Sequence, residues 1–452
     1  MMRSKRGRRS DAVRITFFVA GLAFALSRGG PPGGAAAADK TFTGSFSVSG
    51  SSEVIATIRA GCARCSWGEA GREAAALRLT VDGKYSQHIV LARGEAPAEY
   101  VVTLGAIRGG MHHVTIARDP RLSAAGAGPA VVERVDFRAI RADAGDEWIA
   151  QSMAPVLHAR PNTVGHFTDL PILMWYEIVP TARGRQFRYS VIFTNEDGGT
   201  ATDRLMATWG RTTDIEFVYG VEVDARGISV AEEFQGPGHE VPAFRGRHEA
   251  RHPLLWVSTD NNMVSESGPT RVRYAPAPER FDVREVSREV VMDRHPWSYA
   301  LAAQEMRREG KIVDGATSGS GKIPDPRRFV FVEACTDLQD AAVSFSVRAT
   351  EGGVQRWYDS DRGLPEFRIV RTGCFRGAVP LPATASAPEA VRFRAYPPPL
   401  RRDGSPEPPG SVRLTRVNQM FTLGDDYLPR PSTFSWTGSL VVPVGGDWRE
   451  PR

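Results

Sequence analysis

The chain has 452 residues and a formal net charge of +5, but the positive balance sits at its start: seven Arg/Lys against Asp11 make the first 38 residues +6. The remainder is close to −1, so the basic total is no argument for a nucleic-acid partner. About 414 residues then remain, more than one hydrophobic core normally serves, so two or three domains are expected.

In residues 1–38, Arg3, Lys5, Arg6, Arg8, Arg9 and Arg14 precede an apolar run at 15–26, and Ala35 to Ala38 follow. Twelve apolar residues fall short of the roughly 20 needed to cross a bilayer. The order basic, apolar, small is that of a signal peptide, with the mature chain expected from near Asp39. No later stretch reaches membrane-spanning length. The expected location is secreted or periplasmic, where four cysteines suggest two disulfides, Cys62 with Cys65 and Cys335 with Cys374.

From 39 to 142, β-rich runs at 42–48, 54–58, 75–81, 88–91, 100–104 and 112–116 are broken by Asp82-Gly83 and Arg108-Gly109-Gly110. This rhythm predicts a β-sandwich. Through Leu79-Thr80-Val81-Asp82-Gly83, Tyr100, Leu104-Gly105 and Gly110-Met111-His112 it resembles the jelly-roll accessory domains of secreted carbohydrate-active proteins. The resemblance covers about a quarter of the chain and implies glycan binding. Trp67, Tyr85 and Tyr100 are the candidate ring-stacking residues.

Residues 143–321 read as a central α+β domain, with strands at 171–180, 187–193 and 215–223 and helices at 200–209 and 297–309. Residues 317–321 read as a linker. Among the aromatics, Trp175, Tyr176, Trp209, Trp256 and Trp297 are further flat faces, with Trp175 and Trp209 assigned to the core. Residues 322–452 return to strands, among them 329–333, 342–348, 367–370 and 435–442, as a second sandwich. The expected fold class is mainly β and multi-domain, with jelly-roll-like β-sandwich regions flanking a central α+β region.

Three patterns suggest chemistry. His248-Glu249-Ala250-Arg251-His252 matches H-E-x-x-H, in which His248 and His252 bind zinc and Glu249 acts as general base. That reading needs a helix, which Gly246 and Pro253 oppose; a non-helical metal site and structural histidines are the alternatives. Asn195-Glu196-Asp197-Gly198-Gly199 offers Glu196 and Asp197 as calcium ligands, or else a polar turn beside an Arg/carboxylate network. Asp214-Ile215-Glu216, Asp224-Ala225-Arg226-Gly227 and His252-Pro253 resemble segments of vacuolar protein sorting sixty-two-like proteins, which implies a β-rich fold.

Asp214, Glu216 and Glu249 are thus the catalytic candidates, and His248, His252, Glu196 and Asp197 the metal candidates, for zinc or calcium. Convergence of Asp214 and Glu216 with His248 would make a metal-assisted or carboxylate-dependent hydrolase. The first expectation is an exported protein that binds extracellular or cell-envelope polysaccharide. The hydrolase is the alternative.

Overall fold

The computed structural model describes residues 39–196, 198–398 and 410–452. The expected signal peptide and Asp197 lie outside the described residues. The fold is mainly β, with several separate sheets.

The first region comprises β1 (Phe42–Val48), β2 (Ser52–Cys62), β3 (Ala76–Val81), β4 (Lys84–Val90), β5 (Ala98–Ile107), β6 (Gly110–Arg118) and β7 (Ala130–Ile140). They form two antiparallel sheets, β1-β6-β3-β4 and β5-β2-β7. Alternating residues such as Ala56, Ile58 and Ala60 on β2 meet Leu77 and Leu79 on β3 in one core, as a half-buried strand requires. Asp82 and Gly83 join β3 to β4 with φ of 49° and 74°, the paired positive values of a two-residue type I′ hairpin turn. This core also takes in Ala159, Phe167, Leu170, Tyr274 and Leu301 from beyond the sandwich. The first region therefore completes its interior with its neighbour.

The central region contains α1 (Asp146–Ser152), β8 (Val156–His158), β9 (Pro171–Thr181), β10 (Gly184–Phe193), α2 (Thr202–Trp209), β11 (Asp214–Val223), β12 (Ser229–Phe234), β13 (His248–Glu249), β14 (His252–Val257), β15 (Val264–Ser265), β16 (Arg273–Tyr274), β17 (Glu279–Arg280), α3 (Val290–Arg294) and α4 (Trp297–Arg308). One sheet runs β12-β11-β10-β9-β17 and the other β13-β14-β8-β16, with β15 beside β14. Helix α4 buries Tyr299, Leu301, Ala302, Ala303 and Met306, and Gly310 follows it at φ 67°, a left-handed position that suits glycine after a helix. The stretch 317–321, expected as a linker, is tied down: the Gly319 amide donates to Asp203 at 2.7 Å, and Ile312 bridges to Ile323 nearby.

The third region holds β18 (Phe329–Gln339), β19 (Ala342–Glu351), β20 (Val354–Asp359), β21 (Gly373–Pro380), β22 (Ala390–Tyr396), β23 (Ser411–Thr422) and β24 (Phe434–Pro443). Its sheets are β21-β18-β23-β24 and β20-β19-β22. The strand expected at 367–370 is instead a 3-10 turn at Pro365–Phe367 with a single bridge from Ile369 to Val343. Pro365 fixes φ and offers no amide hydrogen, which favours a turn entry over a ladder. Phe331 and Phe421 of this region share a core with Val291, Met292 and Tyr299 of α3 and α4.

Both expected disulfides are present, Cys62–Cys65 at the end of β2 and Cys335–Cys374 at directly opposed positions of β18 and β21. Among the described residues, no helix is long and apolar enough to cross a membrane.

Candidate functional site

Two main-chain bonds lash the first sandwich to the central region: the Thr103 amide donates to the Ala275 carbonyl at 2.9 Å, and the Ala277 amide to the Val101 carbonyl at 3.1 Å. Beside this seam opens a cleft of about 320 Å³, at the small end of the range for ligand pockets. Its floor is apolar, from Ile89 on β4, Val102 on β5, Ile172 and Met174 on β9, and Tyr274 on β16. Its polar groups are Gln87 and His88 on β4; Arg93, after β4; Glu99 and Tyr100 on β5; Glu279 on β17; and His295, which precedes α4. Trp297, the first residue of α4, adds an aromatic wall.

These groups hold one another in place. The Arg93 guanidinium lies 4.6 Å from the centre of the Trp297 ring, a cation–π arrangement. The Arg93 amide donates to Tyr100 Oη at 3.2 Å, and its Nη1 to the Glu99 carbonyl at 3.5 Å. Across the cleft, His295 Nε2 is 3.2 Å from the Glu279 carboxylate, and the imidazole stands edge-on to Trp297. Burial pushes the Tyr100 hydroxyl up to about 12, with the Arg93 amide opposing it. No Ser, Thr or Cys occurs among the described residues lining the cleft.

A second polar assembly surrounds Asp214. Asp214 and Glu216 stand two residues apart on β11, on the same face by the period of a strand. Asn262, at φ 55°, donates through Nδ2 to Asp214 Oδ2 and to the Asn195 carbonyl, each at 3.0 Å. Arg211 lies 3.6 Å from Asp214 and 3.3 Å from Glu289. Burial, reinforced by the Asp214 charge, pushes Glu196 up to about 7 and Glu216 up to about 8. Burial likewise raises Asp214, with Arg211 opposing. A Cβ at Gly199 would collide with Glu196 Oε1 and with Asn261 Cβ, which explains the glycine at that position. The structure thus brings Glu196, Asp214 and Glu216 within electrostatic reach of one another. Among the described residues, no group of three His, Cys, Asp or Glu is arranged to hold a metal.

The H-E-x-x-H segment is a β-hairpin. His248 and Glu249 form β13, Ala250 turns at φ 56°, and His252 opens β14. His248 Nε2 is 2.9 Å from Glu232. Glu249 accepts from Nη1 and Nη2 of Arg273, and that hydrogen bonding holds its carboxyl below the usual value. His252 is buried, with Nδ1 2.9 Å from the Ala154 carbonyl and Nε2 3.0 Å from Glu53 on β2. The two imidazoles serve separate partners, and neither joins Asp214 and Glu216 in a hydrogen bond.

Of the aromatic candidates, Tyr100 and Trp297 line the cleft. Trp67 is wholly buried, and its Nε1 donates to Glu305 at 3.0 Å. Tyr85 Oη lies 2.7 Å from His88 Nδ1 and accepts from the Arg273 amide. Trp175 is wholly buried, while Trp209 is half-buried beneath the Arg211 and Arg371 guanidiniums. Sequence reasoning missed Arg93, Glu99, Glu279 and His295 as a group. The available signal was Trp297 within the polar run 293–297, although nothing local links it to residues 93–100. No family model matches the chain, and no curated protein matches it.

Proposed function

We propose that this is an exported saccharide-binding protein that holds one or two sugar rings in the cleft between its first sandwich and its central region. The observation that carries the reading is the composition of that cleft: an apolar floor, the rings of Trp297 and Tyr100, and a mouth carrying both signs of charge. A sugar ring pairs an apolar C–H face with a rim of hydroxyls, which matches aromatic walls surrounded by donors and acceptors. The disulfides fit a compartment outside the cytoplasm.

Titration of the mature protein with a panel of oligosaccharides tests the reading. Trp297→Ala should weaken binding by about tenfold or more while the melting temperature stays within a few degrees. Absence of binding across the panel, or binding indifferent to Trp297, would overturn it.

A carboxylate-dependent hydrolase has one observation in its favour: Glu196 and Glu216, raised to about 7 and about 8 beside Asp214, exchange protons near neutral pH. New reducing ends released from the bound oligosaccharides, and lost in Glu216→Gln, would support it. No release by the wild type leaves a binding protein.

A further inference from the structure

We infer that the saccharide taken by the cleft carries a carboxylate, and that Arg93 is the residue that recognises it. This rests on the saccharide reading above and names the class of sugar. Arg93 is the only Arg or Lys among the described residues lining the cleft. Its guanidinium is half-buried, and its polar partner is the Glu99 carbonyl at 3.5 Å, a single long bond from a group with five N–H donors. The nearby carboxylates are directed elsewhere. That of Glu99 lies 3.5 Å from Arg134, and that of Glu279 is held by His295.

The Trp297 ring covers one side of the guanidinium at the cleft wall, 4.6 Å from its central carbon. A planar fork held in this way is organised for two parallel N–H···O bonds to a carboxylate. Burial also disfavours the Arg93 charge, with Tyr100 and Glu99 opposing that effect only in part. A ligand carboxylate would complete the compensation; a neutral sugar would leave it unmet.

The same carboxylate chemistry could come from a uronic-acid saccharide or from a small free carboxylic acid, and the inference commits to the saccharide. The experiment titrates full-length mature protein with oligogalacturonides, with neutral galactose oligomers of matched length and with acetate. Oligogalacturonides should bind at least about tenfold more tightly than the neutral oligomers. Arg93→Gln should remove that difference, read as the ratio of acidic to neutral affinity within the variant, and Arg93→Lys, which keeps the charge but loses the fork, should restore it only in part. Equal affinity for acidic and neutral oligomers would overturn the inference and leave the saccharide reading standing. So would an acidic preference that persists in Arg93→Gln, or acetate binding as tightly as the oligogalacturonide. Failure of every saccharide to bind would overturn the saccharide reading itself, and the inference with it.

Discussion

Trp67 donates its indole N–H to Glu305 at 3.0 Å, with both side chains fully buried, and so joins the core of the first sandwich to helix α4. Glu305 also accepts from Thr194 and lies 3.6 Å from Arg308, yet burial still pushes its carboxyl up to about 8. Trp67→Ala should therefore lower stability by about 3–5 kcal/mol through cavity formation. Trp67→Phe should cost about 1–3 kcal/mol because it leaves Glu305 short of a donor. Urea denaturation reads both. Loss of sugar affinity in folded Trp67→Phe, without loss of stability, would contradict this structural role.

The raised carboxyls predict how stability varies with pH. Glu196 and Glu216 move from an ordinary 4.5 to about 7 and about 8, so the folded state prefers them protonated. Their contribution is fully present below pH 4.5 and is lost as pH rises through 7 to 8, because the unfolded chain ionises first. Glu216→Gln removes the ionisation altogether. Between pH 5 and pH 8.5 the melting temperature of Glu216→Gln should fall less than that of wild type. Parallel profiles for the two proteins would contradict the protonated state.

The hairpin that carries H-E-x-x-H predicts two unequal histidines. His252 Nε2 lies 3.0 Å from Glu53, itself 3% exposed, across the junction between β14 and β2. His252→Ala leaves that buried carboxyl without its hydrogen-bond partner and should cost about 1–3 kcal/mol. His248 reaches Glu232 at the surface, and His248→Ala should cost about 0–1 kcal/mol. Chemical denaturation of the two variants separates them. Equal losses would mean that the two imidazoles work as a unit.

The elements legible in the sequence are those whose local chemistry agrees with their surroundings. Asp82-Gly83 marks a turn because that turn needs two positive φ values, and α4 announces itself by a buried stripe closed by Gly310. Strand β7 escapes notice because Ala130–Ile140 buries its residues irregularly, so no clean alternation appears. Asp214 and Glu216 are legible as a pair by strand period, and Glu196 joins them through a glycine turn. His248 and His252 have the spacing of a metal site, but Ala250 turns the backbone between them. The cleft was illegible for a different reason: Arg93 and Trp297 meet only after the main-chain seam between Val101–Thr103 and residues 275–277 has formed. No pattern within either segment records that contact.

Arg376 on β21 joins the central region to the third region. It is fully buried, and Nη2 lies 2.6 Å from both Asp293 on α3 and Glu333 on β18. Nη1 donates to Asp293 at 2.9 Å and to Tyr299 Oη at 2.6 Å. Gln419 donates to both carboxylates, at 2.9 Å and 3.0 Å, so one guanidinium fork binds the central helices to the third region's sheet. Removing the cation leaves two carboxylates facing each other, one of them wholly buried, whereas removing the whole network would not. Arg376→Met should therefore cost about 3–5 kcal/mol. Arg376→Lys should lose nearly as much, because an ammonium cannot span both carboxylates and the Tyr299 hydroxyl in one plane. Replacing Glu333 by Gln in the Arg376→Met background should recover part of the loss by removing the uncompensated charge. Urea denaturation of the three variants tests the arrangement. An Arg376→Lys protein as stable as wild type would show that charge alone, without the fork, holds the joint.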